Sequence, residues 1–72
     1  MNVGRYVIIK PSYWTADGAT VIVITTIDEL LGEAYYFYEN SPEKNPIIRH
    51  RAIEDFDHVE LVPASSLILE LI

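Results

Sequence analysis

The sequence predicts an all-β domain: a small barrel of about five strands with one short 3₁₀ or helical turn. Three observations point there. Apolar segments of strand length are separated by closely spaced turn signals at Pro11, Asp17-Gly18, Gly32, Asn40-Ser41-Pro42, Asn45-Pro46, 55–57 and Pro63. The clearest segment, ATVIVITTI at 19–27, holds five Val or Ile and three Thr, and β-branched residues fit a pleated sheet better than a helix. Finally, the chain has 72 residues and no cysteine, so a disulfide or thiolate metal site cannot support a core this small. Apolar packing, a closed sheet or a partner subunit must do so. The hydrophobic share of 50% is ample for one folded domain, 1–72, and argues against disorder.

The first strand is VGRYVIIK, 3–10, with Val3, Arg5, Val7 and Ile9 on one face and Tyr6, Ile8 and Lys10 on the other. Pro11 ends it, because proline cannot donate to a ladder. SYWTADG is a loop with Asp17-Gly18 as its turn. The strand at 19–27 is apolar on both faces at its centre, which predicts a central strand and makes Val23 a position where Val23→Asp should unfold the protein.

TTIDELLGEAYYFYEN, 25–40, carries two signals. Ile27, Leu30, Leu31, Ala34, Tyr35 and Tyr38 have helical spacing, and Thr26 with Glu29 can form a capping box. A helix would, however, hold Gly32 in its interior at about 1 kcal/mol relative to Ala. It would also expose Tyr36 and Phe37 together. The favoured reading is a strand at 33–39 after a hairpin or loop around 28–32, and a compromise puts one helical turn at 27–31, stopped by Gly32. In that strand Ala34, Tyr36 and Tyr38 share one face, and Tyr35 and Phe37 the other. The alternative is an α+β domain with one helix at about 27–39. After the polar turn NSPEKN, the segment PIIRHRAI pairs with YYFYEN as an antiparallel hairpin. HVELV is a short strand, PASS a turn and LILELI a last strand.

The ending HVELVPASSLILELI resembles the close of an SH3-like small β-barrel, in which a strand runs into a single 3₁₀ turn and a last short strand follows. GRYVIIK and TVIVITT are similar to the first two barrel strands of such proteins. The likeness is architectural and spans most of the chain. The ALYDY-type segment of eukaryotic SH3 domains is absent, so peptide-binding residues do not carry over, and Tudor, KOW and Sm-type functions share such barrels.

The net charge is −6, from eleven acidic and five basic side chains. This balance repels nucleic acid on average and favours a basic protein partner or simply solvation. Arg5 and Lys10 interrupt the N-terminal apolar stretch, and no apolar run approaches a membrane span, so a cytoplasmic protein without a membrane role is expected.

Catalytic chemistry finds little support. His50 and His58, even with Glu54, Asp55 and Asp57 nearby, lack metal-ligand spacing. Ser65, Ser66, His58 and Asp57 supply the residue types of a hydrolase triad, but no nucleophile elbow accompanies them. Three scattered glycines build no phosphate loop. The expectation is a non-enzymatic protein without cofactor or metal.

Lys44, Arg49, His50 and Arg51 form a local basic cluster beside the aromatic strand, the composition of a single-strand nucleic-acid platform. Cross-strand pairing with Glu33, Glu39 or Glu43 accounts for it better. The expected role is therefore a protein-interaction module that binds a protein or peptide partner through an aromatic and acidic surface. The candidate residues are Tyr13, Trp14, Asp17, Tyr35, Phe37, Glu54, Asp55 and Asp57. For these aromatics the core and the interface are both open readings. One alternative is a small acidic inhibitor, of the kind encoded by phages and mobile elements, that blocks a host nucleic-acid-binding protein. A single-stranded nucleic-acid binder is another. The apolar end, 67–72, would be an open edge able to pair with its twin in a homodimer unless barrel closure covers it.

Overall fold

The computed structural model describes residues 1–39 and 47–66. Five strands, β1 (Gly4–Lys10), β2 (Val21–Asp28), β3 (Glu33–Tyr38), β4 (Arg49–Ala52) and β5 (Glu60–Pro63), form one antiparallel sheet. Their order is β4-β3-β2-β1-β5, so β2 is central, as its two apolar faces predict. A 3₁₀ helix, Ile53–His58, joins β4 to β5. These are the two edge strands. In a flat sheet they would lie four strand spacings apart, about 19 Å. The six residues of the 3₁₀ helix rise only about 12 Å. The connection closes because the sheet curls, and the curl gives it an inside and an outside.

A bulge helps to set that curl. On β2 the register steps from Ile24 opposite Tyr36 to Thr26 opposite Tyr35, leaving Thr25 as the extra residue. A bulge bends its strand and shifts the side-chain alternation by one. Before it, the even positions Ile22 and Ile24 point inward and are fully buried. Beyond it, Ile27 lies opposite Ala34 and packs on the core, while Thr25 and Thr26 stay exposed. One strand can therefore send Ile22, Ile24 and Ile27 to the same side. A second register shift on β1, between Ile8 and Lys10, accompanies Ile9 being left half-exposed.

The core comprises Ile22, Ile24, Ala34, Tyr36 and Tyr38 from the sheet, Trp14 from the β1–β2 connection, and Phe56 and Val59 from the β4–β5 connection. Tyr6 and Ile8 of β1, with Leu61 of β5, pack against it. The alternation of β3 is clean: Ala34, Tyr36 and Tyr38 are buried, and Tyr35 and Phe37 are half-buried on the outside.

Several expectations need correction. No helical turn occupies 27–31, and no helix occupies 27–39. β2 continues through Asp28, and the chain reverses through Glu29, Leu30, Leu31 and Gly32. Asp28 Oδ1 accepts the N–H groups of both Leu30 and Leu31 at 3.1 Å, so the signals of a helix start instead serve a tight turn. Gly32 closes that turn at φ +67°, a left-handed conformation that only glycine adopts cheaply. The 3₁₀ helix lies at Ile53–His58, ahead of its expected place at 63–66, where Ala64 to Ser66 begin a helical turn. β4 is shorter than expected, and Ile47 and Ile48 precede it exposed. The loop at 40–46 and the edge at 67–72, with the homodimer expected from it, lie outside the described residues. Val23 is half-buried on the outer side of the sheet, so Ile24 takes its place as the sensitive position of β2.

Truncating Ile24 to Ala should cost about 2–5 kcal/mol, while Val23→Ala should cost less, about 1 kcal/mol. Urea denaturation followed by the fluorescence of the single tryptophan measures both. Equal losses at the two positions would contradict the assignment of sides.

Candidate functional site

The β1–β2 connection, 11–20, has no regular structure of its own. Local bonds shape it. Ser12 carbonyl accepts Thr15 Oγ1–H at 2.7 Å and the Thr15 N–H at 3.1 Å, and Ala19 N–H donates to Ala16 carbonyl at 3.1 Å. Gly18, at φ +77°, supplies the turn that Asp17-Gly18 predicts. What seats this loop on the sheet is Trp14. The indole is 8% exposed and meets Phe56 edge-on at 4.9 Å between ring centroids and Tyr36 at 5.5 Å. Edge-to-face aromatic pairs of this kind add roughly 0.5–1.5 kcal/mol beyond area burial. Trp14 Nε1–H donates to the Asp55 carbonyl at 2.9 Å, so the one polar atom of the buried ring is satisfied.

Arg51 completes the junction. It lies on β4 opposite Ala34, which directs it inward. Its guanidinium carbon is 5.0 Å from the Trp14 ring centroid and 5.9 Å from that of Tyr13. Arg51 Nη1 donates to Asp55 Oδ2 at 3.2 Å. Asp55 thus holds Trp14 with its main chain and Arg51 with its carboxylate. On the far side of the ring cluster, Tyr38 hydroxyl accepts the Ala16 N–H at 3.1 Å, tying the loop to β3 a second time. Burial, then the neighbouring Tyr38, push the Tyr36 hydroxyl up to about 12 from its ordinary 10.0, against the opposing pull of Arg51.

Of the residues expected to bind a partner, Trp14 and Asp55 meet where the loop reaches the 3₁₀ helix, Tyr13 lies beside His58 of that helix, and Glu54 and Asp57 are elsewhere on it. They divide by role. Trp14 is core, which settles the core-or-interface choice for that ring. Asp55 is half-buried and committed to its two partners. Tyr13 is 79% exposed, with the His58 ring 6.4 Å away, and Glu54 and Asp57 are exposed on the helix. Asp17 lines a separate cleft of about 450 Å³ with Ile8, Pro11 and Thr20. Tyr35 and Phe37 are not part of this junction. They lie on the outside of the sheet, where Tyr35 meets the His50 ring at 5.8 Å.

The basic cluster is not one patch. Strand alternation places Arg49 over Tyr38, at 5.7 Å, and Arg51 over Trp14, whereas His50 lies across the sheet beside Tyr35. Of the expected ion pairs, His50 with Glu33 is present, while Glu39 and Arg51 take other partners. His50 Nδ1 is 3.9 Å from Glu33, Glu39 pairs with Arg5, and Arg51 pairs with Asp55. Lys44 and Glu43 lie outside the described residues. Sequence reasoning missed Arg51 as the link between Tyr13, Trp14 and Asp55. The available signal was parity: Arg49 and Arg51 occupy alternate positions beside an aromatic strand.

Among the described residues, no three His, Cys, Asp or Glu stand together as a metal site, and no helix is long and apolar enough to cross a membrane. No protein-family model matches the chain, and neither a curated protein nor a solved structure matches it.

The Tyr36 hydroxyl gives a pH test. Tyrosine is neutral when protonated, so its raised folded-state pKa contributes stability that is complete below about pH 10 and is lost as pH rises toward and through about 12. Tyr36→Phe has no proton to lose there. Urea midpoints at about pH 9 and about pH 11 should fall more for the wild type than for the variant. Equal falls would show that the Tyr36 hydroxyl is not buried as described.

Proposed function

We propose that the chain is an SH3-like barrel acting as a non-enzymatic protein-interaction module, which engages a protein or peptide partner through an aromatic and acidic surface. Two features support the barrel class. The last described strand, β5, pairs with the first, and a 3₁₀ helix leads into β5. The likeness to SH3-like proteins implies a 3₁₀ turn ahead of a last short strand, which the sequence reading put at 63–66 instead of 53–58.

One observation carries the functional reading. Tyr13 is 79% exposed, yet it adjoins a tryptophan fixed from three sides. An exposed tyrosine on a mobile loop would lose entropy on binding. Tyr13 is held in advance, which reduces that cost. Tyrosine is also a favoured interface anchor, combining a large apolar body with a polar tip. Glu54 and Asp57, exposed on the adjoining 3₁₀ helix, supply charge for a basic partner. Arg51 and His58 border the ring and can accept an acidic group of the same partner. Single-stranded nucleic acid is a poor ligand for this surface, since the chain's net charge is −6 and its arginines and histidine diverge.

The test compares the wild type with Tyr13→Ala combined with Asp57→Lys as baits in a lysate of the organism that encodes the chain. A protein retained by the wild type and lost from the variant, at unchanged variant stability, is the expected result. A parallel salt titration against fluorescent single-stranded DNA should show no tight complex at physiological salt. Identical protein sets on both baits, or tight and salt-sensitive DNA binding, would sink the reading.

A further inference from the structure

The β2–β3 hairpin ends on two leucines in solvent. Leu30 is 99% exposed and Leu31 70% exposed. Turn tips are ordinarily built from Gly, Asn, Asp and Ser, which serve the backbone geometry. Leucine offers nothing to this turn, and in the described fold Leu30 buries almost none of its surface and Leu31 only a minor part. The tip is nevertheless well held. Asp28 Oδ1 accepts the N–H groups of Leu30 and Leu31, Gly32 closes the turn, and Ile53 N–H donates to the Gly32 carbonyl at 2.8 Å. That last bond ties the base of the hairpin to the start of the 3₁₀ helix. Two apolar side chains are thus presented on a fixed support, the arrangement of an anchor that binds without first being ordered.

The surroundings of the tip narrow what receives it. Asp28, Glu29 and Glu33 belong to the hairpin, and Glu54 follows the Ile53 that bonds to its base. The leucines therefore stand within an acidic collar. An anionic bilayer selects the opposite, leucines collared by lysine or arginine. A second copy of the chain also fits poorly. Its apolar cleft of about 300 Å³, lined by Met1, Tyr6, Ile53, Phe56, Val59 and Leu61, is bordered by Asp57 and belongs to a chain of net charge −6. We propose that Leu30 and Leu31 are a docking anchor that enters an apolar cavity of a protein partner whose rim carries Lys or Arg. This contact is separate from the Tyr13 surface and does not require it.

The experiment uses the full chain with a photo-crosslinking p-benzoylphenylalanine at position 30, irradiated in a lysate of the encoding organism. The captured protein is purified and titrated calorimetrically with the unmodified chain and with three variants: Leu30→Ser with Leu31→Ser, Glu29→Lys, and Tyr13→Ala. The double leucine variant should keep the wild-type unfolding midpoint and lose roughly 100-fold in affinity, as two leucines are no longer buried. Glu29→Lys should lose about 10-fold, and wild-type binding should weaken as salt rises. Tyr13→Ala should bind this protein as the wild type does, since the anchor does not require that surface; the Tyr13 reading is tested by its own bait comparison, so the two are distinguishable. Equal affinity of wild type and double variant overturns the proposal, as does an absence of any crosslink. A lowered unfolding midpoint overturns it too, because the leucines would then pack within the chain. Leucine-dependent binding to phosphatidylserine vesicles, or a leucine-dependent dimer in sedimentation, would assign the tip to a lipid surface or to a second copy and likewise overturn it.

Discussion

The Trp14 indole is the contact on which the rest of this small domain depends. It joins three parts of the chain distant in sequence: the β1–β2 connection that carries it, Tyr36 on β3, and Phe56 with Asp55 on the 3₁₀ helix. Each has a reason to need it. The 11–20 connection buries little of its own and would otherwise retain most of its backbone entropy. The 3₁₀ helix must cross between the two edge strands of a curled sheet, and Phe56 is its buried foothold. Tyr36, buried on β3, needs an aromatic neighbour for its ring and has the indole at 5.5 Å. A single bicyclic side chain with one N–H donor meets all three demands, and Arg51 lies over its face. Without cysteines, this aromatic junction does the work that a disulfide does in other domains of comparable size.

The consequence for the surface is a division between neighbours. Trp14 faces in and Tyr13 faces out, although both are large aromatics at adjacent positions. The same logic splits the cations. Arg49 and Arg51 lie over rings on the inner side of the sheet, and His50 lies on the outer side. Much of the charge that composition alone assigns to solvent is engaged in this way. Arg51–Asp55 is the half-buried pair, and Arg5–Glu39 is an exposed one that adds little. Among the described residues, Glu54, Asp57, Tyr13 and the hairpin leucines are open to a partner, with Lys10 and His58 as exposed basic groups.

The all-β class, the central place of β2 and the two sides of β3 were legible because alternation of side chains is a period the eye and the physics share. The bulge at Thr25 was not. Thr25 and Thr26 read alike in the sequence, and only pairing with β3 decides which is the extra residue. The hairpin around 28–32 was legible too, beside a competing helix signal from Leu30 and Leu31, whose spacing imitates a helix face although both are largely exposed. IEDFDH reads as an acidic turn because its acids dominate the pattern. Its structural role comes from Phe56, whose partner Trp14 is far away along the chain. Tyr13, Glu54 and Asp57 were legible as residue types suited to an interface. The approach of Tyr13 to the 3₁₀ helix was not, because it depends on a loop seated by Trp14 and by the Ala16–Tyr38 bond.

The most direct measurement of this account is hydrogen exchange at the indole Nε1–H of Trp14, the single indole in the chain and therefore one resolved resonance. If the indole is the contact that holds loop, helix and sheet together, it opens only when the whole domain opens. Its exchange rate should then match those of the Ile22 and Ile24 amides and share their dependence on denaturant. Exchange as fast as free indole, while the Ile22 and Ile24 amides remain protected, would show that the sheet stands without the Trp14 junction and would contradict the account.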